Sequence, residues 1–322
     1  MTTPTDAPRK LWGETVSLYR DLLKVMVPVM VAVKVAVELG LVDLIAGYFA
    51  PVMMLVGLPG EMGIVWVTAI VVNPYAAAAA LVTLLPTTAL TGADITILAT
   101  MILVAHSLPI EQRILQQAGV SFLFTTILRL VAAVLLGWLL DTGYGISGTL
   151  QEPAVIAWLP AGETDPGWIT WLVDSARSLA IIFVILMVLL ALLRAMDTYG
   201  LTRLIARAMA PVLRLIGIDP ATTSMTMTGV LLGITYGGAL IMREARSGRV
   251  SRKDVFLSSC LLCLSHSLIE DTLFFMALGA HYSGVFVARL VFSILLVALI
   301  ARVLHRMPER SFNRLLCSTP TA

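Results

Sequence analysis

Two short polar elements interrupt long apolar runs of this 322-residue chain. The first reads His-Ser-Leu-Pro-Ile-Glu over residues 106–111, and the second reads His-Ser-Leu-Ile-Glu-Asp over residues 266–271. An ionisable side chain at the centre of a membrane helix costs about 2.5–3.5 kcal/mol on insertion scales. Such groups need partners, water or a ligand there, so the two elements are the candidate binding site.

Two kinds of ligand suit these residue types. Hydroxyl, imidazole and carboxylate groups hydrogen-bond a small polar solute, while imidazole and carboxylate together also hold a divalent cation by N/O ligation. The substrate-binding candidates are His106, Ser107, Glu111, His266, Ser267, Glu270, Asp271, Asn73, Tyr75, Thr235 and Tyr236. The metal-ligand alternative comprises His106, Glu111, His266, Glu270 and Asp271. A third hypothesis is that these groups only bond one another and lock the fold.

The two elements belong to a duplicated chain. His266 follows His106 by 266 − 106 = 160 residues, and Arg289 follows Arg129 by 289 − 129 = 160. Chance similarity between apolar helices matches leucine with leucine. It does not match Gly, Pro, Asp, His and Arg at one offset, so the pattern predicts an internal repeat.

The composition excludes an ordinary soluble protein. The chain is 58% hydrophobic and 13% charged, with a mean hydropathy of +0.92, whereas soluble domains are about 25% charged. We therefore predict an all-α integral membrane protein. Three cysteines do not make a disulfide framework, and the N-terminus does not resemble a cleavable signal peptide. No catalytic motif is apparent, so we expect no enzyme, no cofactor and no nucleic-acid partner.

The apolar runs and their breaks predict five segments. Each repeat is expected to hold a spanning helix, an interfacial helix, a re-entrant hairpin, a broken helix and a second spanning helix. The predicted segments are an N-terminal tail 1–19, membrane repeat 1 at 20–140, an external linker 141–175, membrane repeat 2 at 176–304 and a C-terminal tail 305–322.

Each predicted hairpin is a long apolar run interrupted near its middle. Asn73-Pro74-Tyr75 interrupts residues 61–85, and proline disfavours helix at the preceding residue. The flanks of about 12 residues reach roughly 18 Å as helices, about half of a core of roughly 30 Å. In the second repeat, Thr235-Tyr236 lies within a glycine-rich break. The alternative is a single kinked spanning helix.

Charge placement predicts the topology. Lys and Arg concentrate in 9–24, 203–214, 243–253 and the C-terminal tail, and they are absent from 83–93 and 141–166. Cytoplasmic loops are rich in these residues, and all basic segments lie inside only if both interrupted runs are hairpins. Each repeat then crosses three times, so the halves are inverted. We expect a multi-pass protein of the cell inner (plasma) membrane with both termini cytoplasmic. Inverted repeats with broken helices are typical of alternating-access transporters.

These motifs also resemble a known family. The segments Gly57-Leu58-Pro59-Gly60-Glu61, 106–111, Thr235-Tyr236-Gly237-Gly238 and 266–271 are similar to the nucleoside recognition or Gate domain. That domain occurs in spore-maturation-type proteins and in the membrane part of B-type ferrous-iron transporters, and it resembles the core of concentrative nucleoside transporters. The resemblance implies a permease for a nucleoside-like solute.

The iron-transporter relatives imply a divalent-metal permease as the alternative substrate class. A non-transporting membrane partner of a larger assembly is the third hypothesis. The sequence does not decide whether transport is coupled to Na⁺ or H⁺, or whether the protein forms a homo-oligomer. The lipid bilayer and a small-molecule substrate are the expected partners.

Overall fold

The computed structural model describes residues 6–156, 158–159, 167–247 and 250–318. Within these ranges the chain is helical, and the only β pairing consists of two isolated bridges, Thr91 with Pro153 and Val120 with Cys317. Five helices of the described ranges are long and apolar enough to cross a membrane, or six if the bent pair at the N-terminus forms one span. The predicted all-helical membrane architecture is confirmed.

The helices fall into two series of seven, followed by a short terminal helix. The first series is α1 Asp6–Glu38, α2 Leu41–Leu55, α3 Met62–Val71, α4 Pro74–Leu84, α5 Gly92–Val104, α6 Leu108–Gln117 and α7 Phe122–Ser147. The second series is α8 Trp168–Thr198, α9 Leu201–Leu215, α10 Pro220–Leu232, α11 Ile234–Ser247, α12 Arg252–Ser265, α13 Glu270–Ala277 and α14 Arg289–Arg306. A π-helical turn, Ser283–Ala288, leads into α14, and α15 spans Glu309–Leu315.

Local structure repeats at the offset found in the sequence. Helices α2 and α9 begin and end 160 residues apart, since 201 − 41 = 160 and 215 − 55 = 160. Gly40 and Gly200 precede them with φ values of 65° and 72°. This left-handed conformation is readily adopted only by glycine. At Gly40 it turns the chain by 101° between α1 and α2, which agrees with a helix lying along the membrane surface after a spanning helix.

Contacts at the helix ends show how α7 and α14 are oriented relative to each other. Helix α7 begins beside the C-terminal segment, where the Ser121 N–H donates to the Leu316 carbonyl at 2.9 Å. The segment before α14 begins at the opposite end of α7, where the hydroxyls of Tyr144 and Ser283 lie 2.7 Å apart. Since α14 then ends next to α15, α7 and α14 run antiparallel, as the predicted inverted repeat requires.

The second interrupted run folds back on itself. Gly229 in α10 and Gly237 in α11 pack backbone against backbone, so that a Cβ atom at Gly237 would lie 2.2 Å from the Gly229 Cα. Eight residues of one straight helix would separate them by about 12 Å. The chain therefore reverses at Gly233, whose φ is +97°. The depth of this hairpin in the membrane stays a prediction.

Helices extend into three of the predicted non-membrane segments, and the membrane boundaries of these segments stay predictions. Helix α1 begins at Asp6, so most of the predicted tail 1–19 is helical, and Tyr19 donates to the Leu179 carbonyl at 2.7 Å. Helix α7 continues to Ser147 and α8 starts at Trp168, which shortens the predicted linker 141–175. Residues of the predicted tail 305–322 form the end of α14 and helix α15.

Candidate functional site

Both polar elements lie at helix breaks with the same backbone geometry. Ser107 separates α5 from α6 and Ser267 separates α12 from α13, each with φ 48°. Left-handed backbone is uncommon for a residue other than glycine. A neighbouring helix holds each break. The Ser107 N–H donates to the Ala69 carbonyl of α3 at 2.8 Å, and the Leu268 N–H donates to the Val230 carbonyl of α10 at 2.8 Å.

Pro109 does not cause the first break, although it lies between His106 and Glu111 in the sequence. It occupies the first turn of α6, where the missing N–H has no intrahelical partner to lose. The left-handed Ser107 breaks the helix, and Ser267 does so without any proline in its element.

The backbone determines the tautomer of each buried histidine. The Nδ1 atom of His106 lies 2.9 Å from the Ile102 carbonyl, and that of His266 lies 3.1 Å from the Leu262 carbonyl. A carbonyl oxygen can only accept, so each Nδ1 carries the proton of the neutral ring. The two Nε2 atoms are left with lone pairs, and they face each other across the two repeats at 2.9 Å.

A carboxylate oxygen completes a group of three acceptors. The Glu111 Oε1 atom lies 3.3 Å from the His106 Nε2 and 3.2 Å from the His266 Nε2. The other oxygen, Oε2, accepts from Arg129 Nη1 at 2.5 Å. Arg129 is fully buried and also donates through Nε to the Val104 carbonyl at 2.7 Å. The guanidinium therefore fixes the orientation of the carboxylate toward both imidazoles.

Three lone-pair atoms at these distances need a positive species between them. Two imidazole nitrogens and a carboxylate oxygen repel one another unless a proton or a metal cation is shared. In a tetrahedral zinc site with bonds of about 2.0–2.1 Å, ligand atoms lie about 3.3 Å apart. The observed separations of 2.9, 3.2 and 3.3 Å are close to that value. A backbone carbonyl on the second imidazole nitrogen is the usual outer partner of a metal-bound histidine.

The second repeat adds two further acids. One ring nitrogen of each histidine and a carboxylate oxygen of Asp271 lie within 4.8 Å of one another, so Asp271 is within reach as a further ligand. Glu270 accepts a hydrogen bond from the Tyr75 hydroxyl at 3.1 Å. Tyr75 lies in the first turn of α4, so this bond joins one repeat to the polar element of the other.

These groups line one cavity of about 310 Å³. It contains nine of the eleven predicted substrate-binding residues: Asn73, Tyr75, His106, Ser107, Glu111, His266, Ser267, Glu270 and Asp271. The side chains of the other two, Thr235 and Tyr236, lie outside the described residues. Asn73 also accepts from the Ala76 N–H at 2.8 Å and so caps α4, which gives it a structural task in addition.

Two residues of the site, Arg129 and Gly233, were not among the candidates predicted from the sequence. Arg129, which the sequence identified only as part of the repeat, is completely buried and forms an ion pair with Glu111. Gly233 lines the cavity, and a Cβ atom there would lie 2.8 Å from the Ser267 Oγ. The repeat could have identified it, because Gly233 follows Asn73 by 160 residues.

Comparison with known proteins indicates a membrane protein without indicating its substrate. The chain is 27% identical over 290 residues to the uncharacterized membrane protein YvoD of Bacillus subtilis (strain 168), and the match covers 86% of this chain and 88% of that protein. No protein-family model matches the chain, and no solved structure matches it. The resemblance to the nucleoside recognition or Gate domain stays a prediction.

Proposed function

We propose that this multi-pass membrane protein is a transporter that moves a divalent transition-metal cation through the cavity between its two repeats. The observation that carries the proposal is the convergence of three acceptor atoms, from His106, His266 and Glu111, at 2.9–3.3 Å. Imidazole and carboxylate together suit cations such as Zn²⁺ and Fe²⁺. The metal is here the transported substrate, and the two repeats share its ligands.

Two features of the fold support transport rather than fixed binding. Each half of the ligand set lies at a broken helix, and α7 and α14, the last long helices of the two repeats, run antiparallel. In transporters of this kind, relative movement of the repeats exposes a central site to one side and then the other. A site whose ligands come from both repeats is assembled or disrupted by that movement.

A nucleoside-like polar solute is the second candidate. The cavity of about 310 Å³ is larger than a bare cation needs, and pockets for small organic ligands begin near roughly 300 Å³. Hydroxyls of Ser107 and Ser267 line it beside the acids. The acceptor-rich centre nevertheless favours the cation, because a metal ion itself supplies the positive charge that the three facing acceptors share, whereas a neutral nucleoside would require a proton held there in addition.

Transport assays in proteoliposomes separate these functions. The full-length protein is reconstituted around a trapped metal-sensitive dye, and entry of Co²⁺ or Zn²⁺ is followed with and without excess uridine. We expect metal entry that uridine does not inhibit and that His106→Ala or His266→Ala abolishes. His305→Ala is the matched control, because it removes an exposed imidazole of α14 outside the cavity.

Two results would overturn the metal proposal. Uptake of radiolabelled uridine without metal entry would support the nucleoside-like solute. Absence of uptake of either ligand by folded protein would support the non-transporting partner. The proposed location is the cell inner membrane with cytoplasmic termini, on the evidence of the basic segments. Coupling to Na⁺ or H⁺ and a homo-oligomer stay predictions.

A further inference from the structure

The two interfacial helices match in position but differ in charge. Helices α2 and α9 have equivalent bounds, yet α9 carries three arginines and α2 carries no basic residue. At the three equivalent positions α2 has Asp43, Gly47 and Met54 where α9 has Arg203, Arg207 and Arg214. Because the local fold is shared, the folding of the helix does not explain these arginines.

The arginines of α9 form one narrow stripe. At about 100° per residue, Arg203, Arg207 and Arg214 lie within about 40° of one another around the helix. All three are exposed. Among the described residues, none of them has an acidic partner within 4.0 Å, in contrast to Arg194, which pairs with Glu14. The described part of the chain therefore presents a row of guanidinium groups that its own acidic side chains do not neutralise.

A second stripe beside the arginines is apolar and exposed. Leu204 is 60% exposed and Leu215 is 87% exposed, and with Leu201 they lie about 100–160° from Arg203 around the helix. Leu213, on the remaining side, is fully buried against the protein. An exposed leucine stripe next to a basic stripe is the arrangement of a helix at the boundary between acyl chains and headgroups.

We propose that α9 is a binding surface for anionic phospholipid headgroups, and that α2 is not. The leucines would insert among acyl chains while the three arginines pair with headgroup phosphates, for which the guanidinium fork is suited. Each basic residue near an anionic membrane surface strengthens association roughly fivefold. The inference is independent of the transported substrate, because it rests on a surface outside the cavity.

The test measures lipid enrichment around the full-length protein. It is reconstituted in nanodiscs of phosphatidylcholine containing one quarter phosphatidylglycerol, and lipids retained after release are counted by native mass spectrometry. We expect several-fold enrichment of phosphatidylglycerol for the wild type, reduced by tenfold or more in Arg203→Gln/Arg207→Gln/Arg214→Gln. The enrichment should fall as salt is raised, because exposed charges are screened.

The matched control removes the same charge elsewhere. The triple variant Arg306→Gln/Arg310→Gln/Arg314→Gln neutralises three exposed arginines at the C-terminal end, and we expect it to retain the enrichment. A gain-of-function variant, Asp43→Arg/Gly47→Arg/Met54→Arg, builds the stripe on α2, where all three positions are exposed. This variant should increase the enrichment of phosphatidylglycerol. It still tests the proposal if the α9 variant does not fold.

Three results overturn the proposal. They are an absence of enrichment in the wild type, an equal loss in both triple variants, which would indicate net charge alone, and an unchanged enrichment when the α2 stripe is built.

Discussion

The polar elements of the two repeats have the same backbone but not the same electrostatics. In repeat 1, Glu111 pairs with the buried Arg129 at 2.5 Å and lies near both histidines. Among the described residues of repeat 2, Asp271 makes no ion pair with Arg289 within 4.0 Å. Arg289 donates instead to the Leu264 and His266 carbonyls at 3.2 and 2.8 Å. Each of the two arginines also has one buried nitrogen without a partner, Nη2 of Arg129 and Nη1 of Arg289.

This difference shows what the duplication preserved and what it did not. The helix break, the histidine tautomer and the arginine that bonds the carbonyl before the break occur twice, so they belong to the scaffold. The carboxylate held between arginine and imidazoles occurs once. The centre of the site is therefore built on repeat 1, while repeat 2 supplies one imidazole and a less constrained acid.

The largest difference between the repeats is expected when Glu111 and Asp271 are neutralised separately. Glu111→Gln leaves Arg129 buried without its counter-charge, and breaking a buried pair in this way costs about 3–5 kcal/mol. Asp271→Asn breaks no such pair and should cost clearly less. Thermal unfolding of both variants in detergent measures the difference. Equal losses would mean that Glu111 and Asp271 are electrostatically equivalent.

A double-mutant cycle tests whether the stability loss in Glu111→Gln comes from its ion pair with Arg129. Arg129→Met removes the buried charge that Glu111→Gln leaves unpaired, so the double variant should be more stable than the two single losses predict. We expect a coupling of about 1–3 kcal/mol. The same cycle on Asp271 and Arg289 should give a coupling near zero, and a coupling there as large as in repeat 1 contradicts the account.

The breaks at Gly233 and Asn73, two positions that match at the repeat offset, give a smaller contrast. Gly233 has φ +97° and no room beside Ser267, so Gly233→Ala should destabilise the protein by about 1–3 kcal/mol. Its counterpart Asn73 is extended, with φ −168°, and Asn73→Ala loses only a helix cap worth about 1 kcal/mol. The unfolding temperature should therefore fall more in Gly233→Ala than in Asn73→Ala. The reverse order contradicts this contrast.

The bond between the repeats at Tyr75 has the smallest expected effect. Tyr75→Phe keeps the edge contact with Phe274, at 4.8 Å between ring centroids, and loses the hydrogen bond to Glu270. We expect a loss of about 0.5–1.5 kcal/mol in stability together with a measurable change in metal affinity. Tyr19→Phe removes a similar bond to the Leu179 carbonyl away from the acids and should leave affinity unchanged. Equal affinities of the two variants would remove Tyr75 from the site.

Much of this architecture is predictable from the sequence because the repeat is dense in residues with strict conformational demands. The glycine and proline positions predicted where α2 and α9 lie, and the two His-Ser elements predicted where the two helices break. The ion pair between Glu111 and Arg129 was not predictable. Glu111 and its repeat counterpart Asp271 differ by one methylene group, and whether each carboxylate reaches an arginine depends on distances in the packed fold. Helix ends were also misjudged, since α1 continues as an amphipathic helix to Asp6.

X-ray absorption of the purified protein loaded with Zn²⁺ tests the central claim most directly, because it counts the atoms bound to the metal. We predict one Zn²⁺ per chain bound by two imidazole nitrogens and at least one carboxylate oxygen, at about 2.0–2.2 Å. One imidazole should disappear in His106→Ala and in His266→Ala, and neither should disappear in His305→Ala. A bound metal without two imidazoles, or a spectrum unchanged in both cavity variants, contradicts the account.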